Sequence, residues 1–240
     1  MQTDHSHTPA AIAARLAGDR KPTLVRDFVY GGIDGVVTTF AVVAGVEGAS
    51  LSPAGGLILG AANLLADGFS MAASNYSGTK AVIDEERRAR ETELLHIERW
   101  PEGEREEVRQ LLAARGLSKR TLEGAVADIT ADKENWVRFM LTDEYGFAPA
   151  QTSPLSAGLA TFAAFLVCGA APLAPFALGL ENGFAVSTAL TAVVFFVIGA
   201  WKANWSPSPW WRSGLETLAI GSAAAGLAYG VGWLLRGLAG

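Results

Sequence analysis

Four stretches of this chain, Gly48–Ala66, Tyr145–Leu180, Asn182–Trp201 and Thr217–Leu235, carry no charged residue. A helix needs roughly 20 apolar residues to cross the hydrocarbon of a bilayer, and each run comes close to or exceeds that length. A fifth run, Phe28–Val46, is as apolar except for Asp34, which sits in Gly31-Gly32-Ile33-Asp34-Gly35. These runs predict five transmembrane helices at about 26–48, 54–78, 154–174, 184–202 and 212–235, an all-α membrane protein. The rest is polar in one place. Of 24 acidic residues, sixteen lie between Thr79 and Ala148, with twelve of the 19 lysines and arginines.

The expected organisation is a flexible N-terminal segment (1–25), spans one and two (26–78), a helical insert (79–148) and spans three to five (149–240). Five crossings separate the termini, and basic loop residues set the orientation. With the N-terminus inside, that side holds Arg15, Arg20, Lys21, Arg26, the twelve of the insert, Lys202 and Arg212, against Arg236 outside. The N-terminus and insert are therefore expected in the cytosol. Met1–Asp19 lacks the apolar core of a signal peptide. Trp201, Trp205, Trp210 and Trp211 cluster between spans four and five, as amphipathic rings do at a membrane interface. Cys168, the one cysteine, permits no intrachain disulfide and reads as packing. The net charge of −5 argues against nucleic acid as a partner.

Leu57 to Arg99 contains no proline, so span two is expected to run unbroken into the insert, over ~65 Å at ~1.5 Å per residue. Pro101-Glu102 suits the start of a second helix and Gly116 its end. A third helix is expected from Ser118 with Thr121 to about Thr130, and a fourth over 132–145 before Gly146. The insert's large apolar residues, among them Leu94, Leu95, Leu111, Leu112, Leu117, Leu122, Ile129, Trp136 and Phe139, make a small core for some seventy residues. Pairing with a second copy would bury more. Gly31/Gly35, Gly56/Gly60 and Gly226/Gly230 repeat at the four-residue spacing that lets helices approach closely in lipid; the first two pairs would permit contact across a two-fold axis. A homodimer is expected.

An ionisable residue inside a span is costly and usually faces a protein-lined or aqueous path. Asp34 is one; Asp67 in span two is another. Asn63, Asp67, Met71 and Asn75 follow at intervals of four, so they form one slowly winding stripe. Their oxygens and thioether can receive a cation, and the thioether leans toward a transition metal. The plainer reading is that the amides and acid bond neighbouring helices while Met71 fills a gap. In the insert, Glu93 and His96 are three apart, as are Glu104 and Glu107, and Met140 and Glu144 are four apart. Carboxylates with imidazole suit ferrous, manganous or zinc ions, yet solvated helices often carry such spacings beside arginine, as Glu106 and Arg109 do. His5 and His7 could also hold a metal, though tail histidines are more often incidental.

Asp34-Gly35, Ser70-Met71-Ala72, Pro101-Glu102-Gly103-Glu104 and Phe139-Met140 followed by Glu144, with the five-span layout and its insert, resemble the vacuolar iron transporter family over about 26–235. The resemblance implies a dimeric exchanger, not an enzyme, that moves ferrous iron, and often manganese, out of the cytosol in exchange for protons. It implies Asp34 and Met71 as intramembrane ligands, and Glu93, Glu104, Glu107, Met140 and Glu144 as a cytosolic metal-binding domain. No prosthetic group is implied; the metal is bound in transit. His96 stands where many members have glutamate, Leu141 where some have methionine, and Asn63 where some have glutamate. Alanine- and glycine-rich composition favours a prokaryotic inner membrane over a vacuole.

Two other classes fit the residues less well. Glu93-Leu94-Leu95-His96 has the Glu-x-x-His spacing of di-iron oxidases, which need a second such motif and two more glutamates; His5 and His7 cannot supply it. A metal sensor on an inert anchor would carry no acids in its spans, against Asp34 and Asp67.

Overall fold

The computed structural model describes residues 6–17, 23–147 and 152–236, and these are all helix, turn or loop, with no strand. The α-helices in chain order are α1 (Pro9–Ala17), α2 (Val25–Gly48), α3 (Pro53–Arg99), α4 (Pro101–Ala114), α5 (Lys119–Thr130), α6 (Lys133–Asp143), α7 (Pro154–Gly169), α8 (Ala174–Ala177), α9 (Gly183–Lys202) and α10 (Trp210–Leu235). Four helices are long and apolar enough to cross a membrane: Val25–Gly48, Pro53–Arg99, Gly183–Trp205 and Trp210–Leu235. This is the composition of a multi-pass membrane protein. The chain divides into two compact units, Met1–Ser77 with Thr152–Gly240, and Gly78–Gln151.

The first unit is built on α2, which packs against α7, α9 and α10. Glycine sets the closeness of these contacts. A Cβ on Gly31 would stand 2.3 Å from the Thr161 carbonyl oxygen, and one on Gly35 2.5 Å from that of Phe165, both in α7. Farther along, a Cβ on Gly48 would lie 2.5 Å from the Tyr229 carbonyl oxygen in α10. The expected two-fold contact through Gly31/Gly35 is therefore corrected: these glycines are spent on α7 of the same chain. Gly56 and Gly60 likewise meet Val46 and Leu173, while nothing lies within 4 Å of a Cβ on Gly226 or Gly230. Around the glycine seams, Val36, Cys168, Phe195 and Ile198 form one buried apolar group, and Phe40, Val43, Ala44 and Leu173 another. The lone thiol is packing, as expected.

The third apolar helix is shorter than expected. α7 has 16 residues and ends at Gly169, five before the expected 174. Pro172 explains the stop: its ring would strike the carbonyl of residue 168 and it offers no N–H to the helix. The chain turns there, with Leu173 N–H donating to the Ala170 carbonyl, and makes the one-turn α8.

α3 is continuous for 47 residues, as the absence of proline predicts, and carries the chain into the second unit. That unit's core joins Ala89 and Ile97 of α3, Val108 and Leu112 of α4, Val126 of α5, and Trp136, Val137, Met140 and Leu141 of α6. Most leucines expected there pack at its margin; Leu95 does not and is exposed. Gly116 (φ +93°) and Gly146 (φ +75°) end α4 and α6 in the left-handed conformation that glycine adopts without strain. Asp132 caps α6 by accepting from the Asn135 N–H, whereas Ser118 makes no side-chain cap on α5. Ion pairs stitch the surface: Arg90–Glu134 and Lys133–Glu98, both 2.6 Å, tie α3 to α6, and Arg109–Glu123 (2.9 Å) ties α4 to α5.

Gly31→Ala should lower stability by roughly 1–3 kcal/mol through overpacking, whereas Gly226→Ala should be neutral or slightly stabilising. Thermal unfolding in mild detergent reads both; equal midpoints for Gly31→Ala and wild type would contradict the backbone contact.

Candidate functional site

In the second unit, α3 presents Glu93 and His96 on one face. Trp100 alone separates α3 from α4, and this tight turn brings Glu104 back beside them. The ligand atoms of Glu93, His96 and Glu104 all lie within 4.8 Å of one another. His96 Nδ1 is 3.3 Å from Glu104 Oε1, and its ring meets Trp100 edge-on at 5.6 Å. Past the end of α6, the Tyr145 hydroxyl donates to Glu93 Oε1 at 2.9 Å.

The electrostatics of this group are one-sided. Glu93 and Glu104 are buried, at 1% and 4% exposure, and the second oxygen of each is buried without a hydrogen-bond partner. Among the described residues no lysine or arginine pairs with Glu93, Glu104, Glu107 or Glu144, although neighbouring glutamates such as Glu98, Glu106, Glu123 and Glu134 each have one. Burial, the charges of Glu93 and Glu107, the close approach of the Glu93 carboxyl and the charge of Glu144 push the Glu104 carboxyl up to about 7. Burial, then Glu93 and Glu107, also raises Glu144, with His96 opposing. Burial and the bond to Glu93 hold the Tyr145 phenol well above its ordinary range, so it stays a donor. Buried carboxylates without partners are costly unless protonated or bound to a cation. A divalent ion would satisfy the unpartnered oxygens and the excess charge together.

The other insert residues are placed differently. Glu107 and Glu144 are exposed, close enough to Glu104 and to one another to act electrostatically. Met140 is fully buried in the apolar core, where its thioether packs. Sequence reasoning missed Tyr145, for which no spacing signal exists.

In the first unit, Asn63, Asp67, Met71 and Asn75 are all half-buried, and their four-residue spacing puts them on one face of α3. The Asp67 carboxylate acts electrostatically on Asp34 of α2. Asp34 borders a hollow of about 300 Å³ with Arg26, Val29, Tyr30, Ile33 and Val37. The Asn63 amide nitrogen is buried without a partner. Asn75 holds helices together, because its amide nitrogen bonds Asp27 Oδ1 (2.9 Å), Thr161 Oγ1 (2.7 Å) and the Ala157 carbonyl (3.2 Å). It thus ties α3 to α2 and α7, and only its carbonyl oxygen is left for a cation. Asp27, buried at 4% exposure, was missed in the sequence, although it stands seven residues, two turns, before Asp34. His5 lies outside the described residues, and His7 is exposed.

A family model described as the VIT family matches residues 25–233. A protein of Toxoplasma gondii named vacuolar iron transporter is 32% identical over 242 residues, covering 92% of this chain and 80% of its own. Vacuolar iron transporter 1 of Arabidopsis thaliana is 29% identical, covering 86% and 84%. The vacuolar iron transporter of Plasmodium berghei is 27% identical, covering 88% and 82%.

Native Glu104 keeps a proton that the unfolded chain releases near its ordinary 4.5. Its contribution to stability is therefore full below about 4.5 and lost as pH rises through about 7. A bound metal must displace that proton, so divalent binding by the purified protein should strengthen from about pH 6 to pH 8 and release protons. Glu104→Gln should weaken binding and flatten this dependence. Calorimetry in two buffers of different ionisation enthalpy checks it; unchanged pH dependence in Glu104→Gln would remove Glu104 from the site.

Proposed function

The chain belongs to the VIT family, that of the vacuolar iron transporters, and we propose that it moves divalent metal, ferrous iron or manganese, out of the cytosol in exchange for protons. The observation that carries this reading is the group Glu93, Glu104, Glu107 and Glu144, four carboxylates around one imidazole with no lysine or arginine paired to them among the described residues. In this reading α2, α3, α7, α9 and α10 are five crossings. The third is the shortest, ~24 Å of helix at ~1.5 Å per residue, completed by the turn and α8. The N-terminus and the insert are cytosolic, and the membrane is the inner membrane of a prokaryote. Residues 79–148 gather metal from the cytosol.

Asp34, Asp67, Met71, Asn63 and the carbonyl of Asn75 form the path through the membrane. Metal and proton compete for the same carboxylates there, so the arrival of one releases the other. This is the coupling. Asp34 and Asp67 are only half covered by their own chain, beside the exposed Tyr30, Leu65 and Phe69. A carboxylate left against lipid is costly, so a second copy closes the hollow and the protein works as a homodimer. The oxidase reading has less support: the buried group holds one Glu-x-x-His, and di-iron chemistry needs two.

Asp34→Asn keeps the side-chain shape and removes the exchangeable proton. In proteoliposomes with a pH gradient, its ferrous and manganous flux should fall close to that of empty vesicles. Full flux with intact proton coupling would defeat the mechanism. Light scattering in mild detergent should give twice the protomer mass; a single protomer that still transports at one chain per vesicle would defeat the dimer.

A further inference from the structure

His96 is the one nitrogen donor in an otherwise all-oxygen acid group. Its Nδ1 side already faces Glu104 at 3.3 Å, and the edge of Trp100 limits how its ring can turn. The group is more than a cluster of acids. Two carboxylates more than nine-tenths buried each aim an oxygen without a partner into it, and His96, at 38% side-chain exposure, leaves a side open for entry. The three ligand positions span 4.8 Å. The His96–Glu104 pair, at 3.3 Å, already has the ~3.0–3.4 Å spacing of neighbouring ligands each ~2.1 Å from one ion, and Glu93 would have to move inward to join them.

We propose that His96 is a specificity-determining ligand, which makes the Glu93–His96–Glu104 site select ferrous iron over manganese. The inference rests on the metal-gathering role proposed for residues 79–148. Carboxylate and water suit manganese, whereas imidazole suits iron, cobalt and zinc, and affinity rises from manganous through ferrous to cobaltous ions. Exchanging one carboxylate oxygen for an imidazole nitrogen steepens that rise. It also lowers the site's negative charge by one, which removes part of the attraction that would hold a hard cation without regard to its identity. Tyr145 helps by occupying Glu93 Oε1, so that Glu93 offers a single oxygen and the imidazole is not crowded out by a bidentate carboxylate.

The test uses the untagged full-length protein in detergent with His5→Ala and His7→Ala, so that His96 is the only imidazole. Anaerobic competition titration gives the ratio of ferrous to manganous affinity. X-ray absorption with one equivalent of cobaltous ion reports directly whether an imidazole ring is coordinated. The parent should prefer iron and show imidazole scattering. His96→Glu should still bind both metals, with the iron-to-manganese ratio reduced roughly tenfold, and His96→Gln should lose the imidazole signal. An unchanged ratio in a His96→Glu protein that binds metal would overturn the proposal. So would a parent that binds cobalt without imidazole scattering, a result that needs no variant to fold and leaves the metal-gathering role standing. A parent that binds no divalent ion at all would bring down both.

Discussion

Two carbonyl oxygens of α7, those of Thr161 and Phe165, lie where the Cβ atoms of any residue but glycine at positions 31 and 35 would stand. This contact brings the α2 and α7 backbones together, and the polar features of the first unit follow from it. Thr161 reaches the Asp27 backbone carbonyl and, with Ala157, receives the amide of Asn75. α3 is thereby attached to the pair, with Gly68 against Phe162 and Phe165 and Gly158 under the Ala72 carbonyl. Asp67 and Met71 then stand on the adjoining strip of α3, and Asp34 turns away from the seam toward its hollow. In an apolar medium, backbone packing and interhelical hydrogen bonds must do what hydrophobic burial does in water. The two glycines and one asparagine do both.

The second unit solves a different problem with ordinary means. Several of its surface acids pair with arginine or lysine, Glu98, Glu123 and Glu134 across helices and Asp84, Glu102 and Glu106 within one, and such exposed pairs add little stability. None of these pairs reaches Glu93, Glu104, Glu107 or Glu144, whose charges act on one another without a basic partner among the described residues. A small core of α3, α4, α5 and α6 residues holds those carboxylates in place, Met140 among its members. An ion-free cluster relieves its own repulsion by protonating Glu104, and a metal relieves it further. Any metal that binds there would compete with that proton before any membrane step is considered.

Much of this was legible in the chain. Charge-free runs placed the apolar helices, and proline and glycine placed their ends in 100–146; spacing put Glu93 with His96 and Glu104 with Glu107 on single helix faces, while only the family resemblance joined the two pairs. What the sequence hid were features requiring a partner's position. A Gly-x-x-x-Gly pair reads the same whether it meets its own chain or another copy, and only the α7 carbonyls decide for Gly31 and Gly35. Asn75 looks like any other member of a polar stripe until Asp27 and Thr161 are seen beside it. Proline at 172 was visible, but apolar residues on both sides of it masked the break in the third helix. Tyr145 reaches Glu93 from 52 residues away, a pairing that no local pattern announces.

Histidine at position 96 eases the same repulsion by other means. A glutamate there would add a third charge to a pocket in which Glu104 already resists ionisation, so more of the site would be protonated near neutrality. The imidazole supplies a donor without that repulsion, and its Nδ1 can accept a metal or share a proton with Glu104. In the selectivity proposed above, position 96 would rely less on accumulated negative charge, which attracts every divalent cation, and more on the kind of donor atom, which discriminates among them.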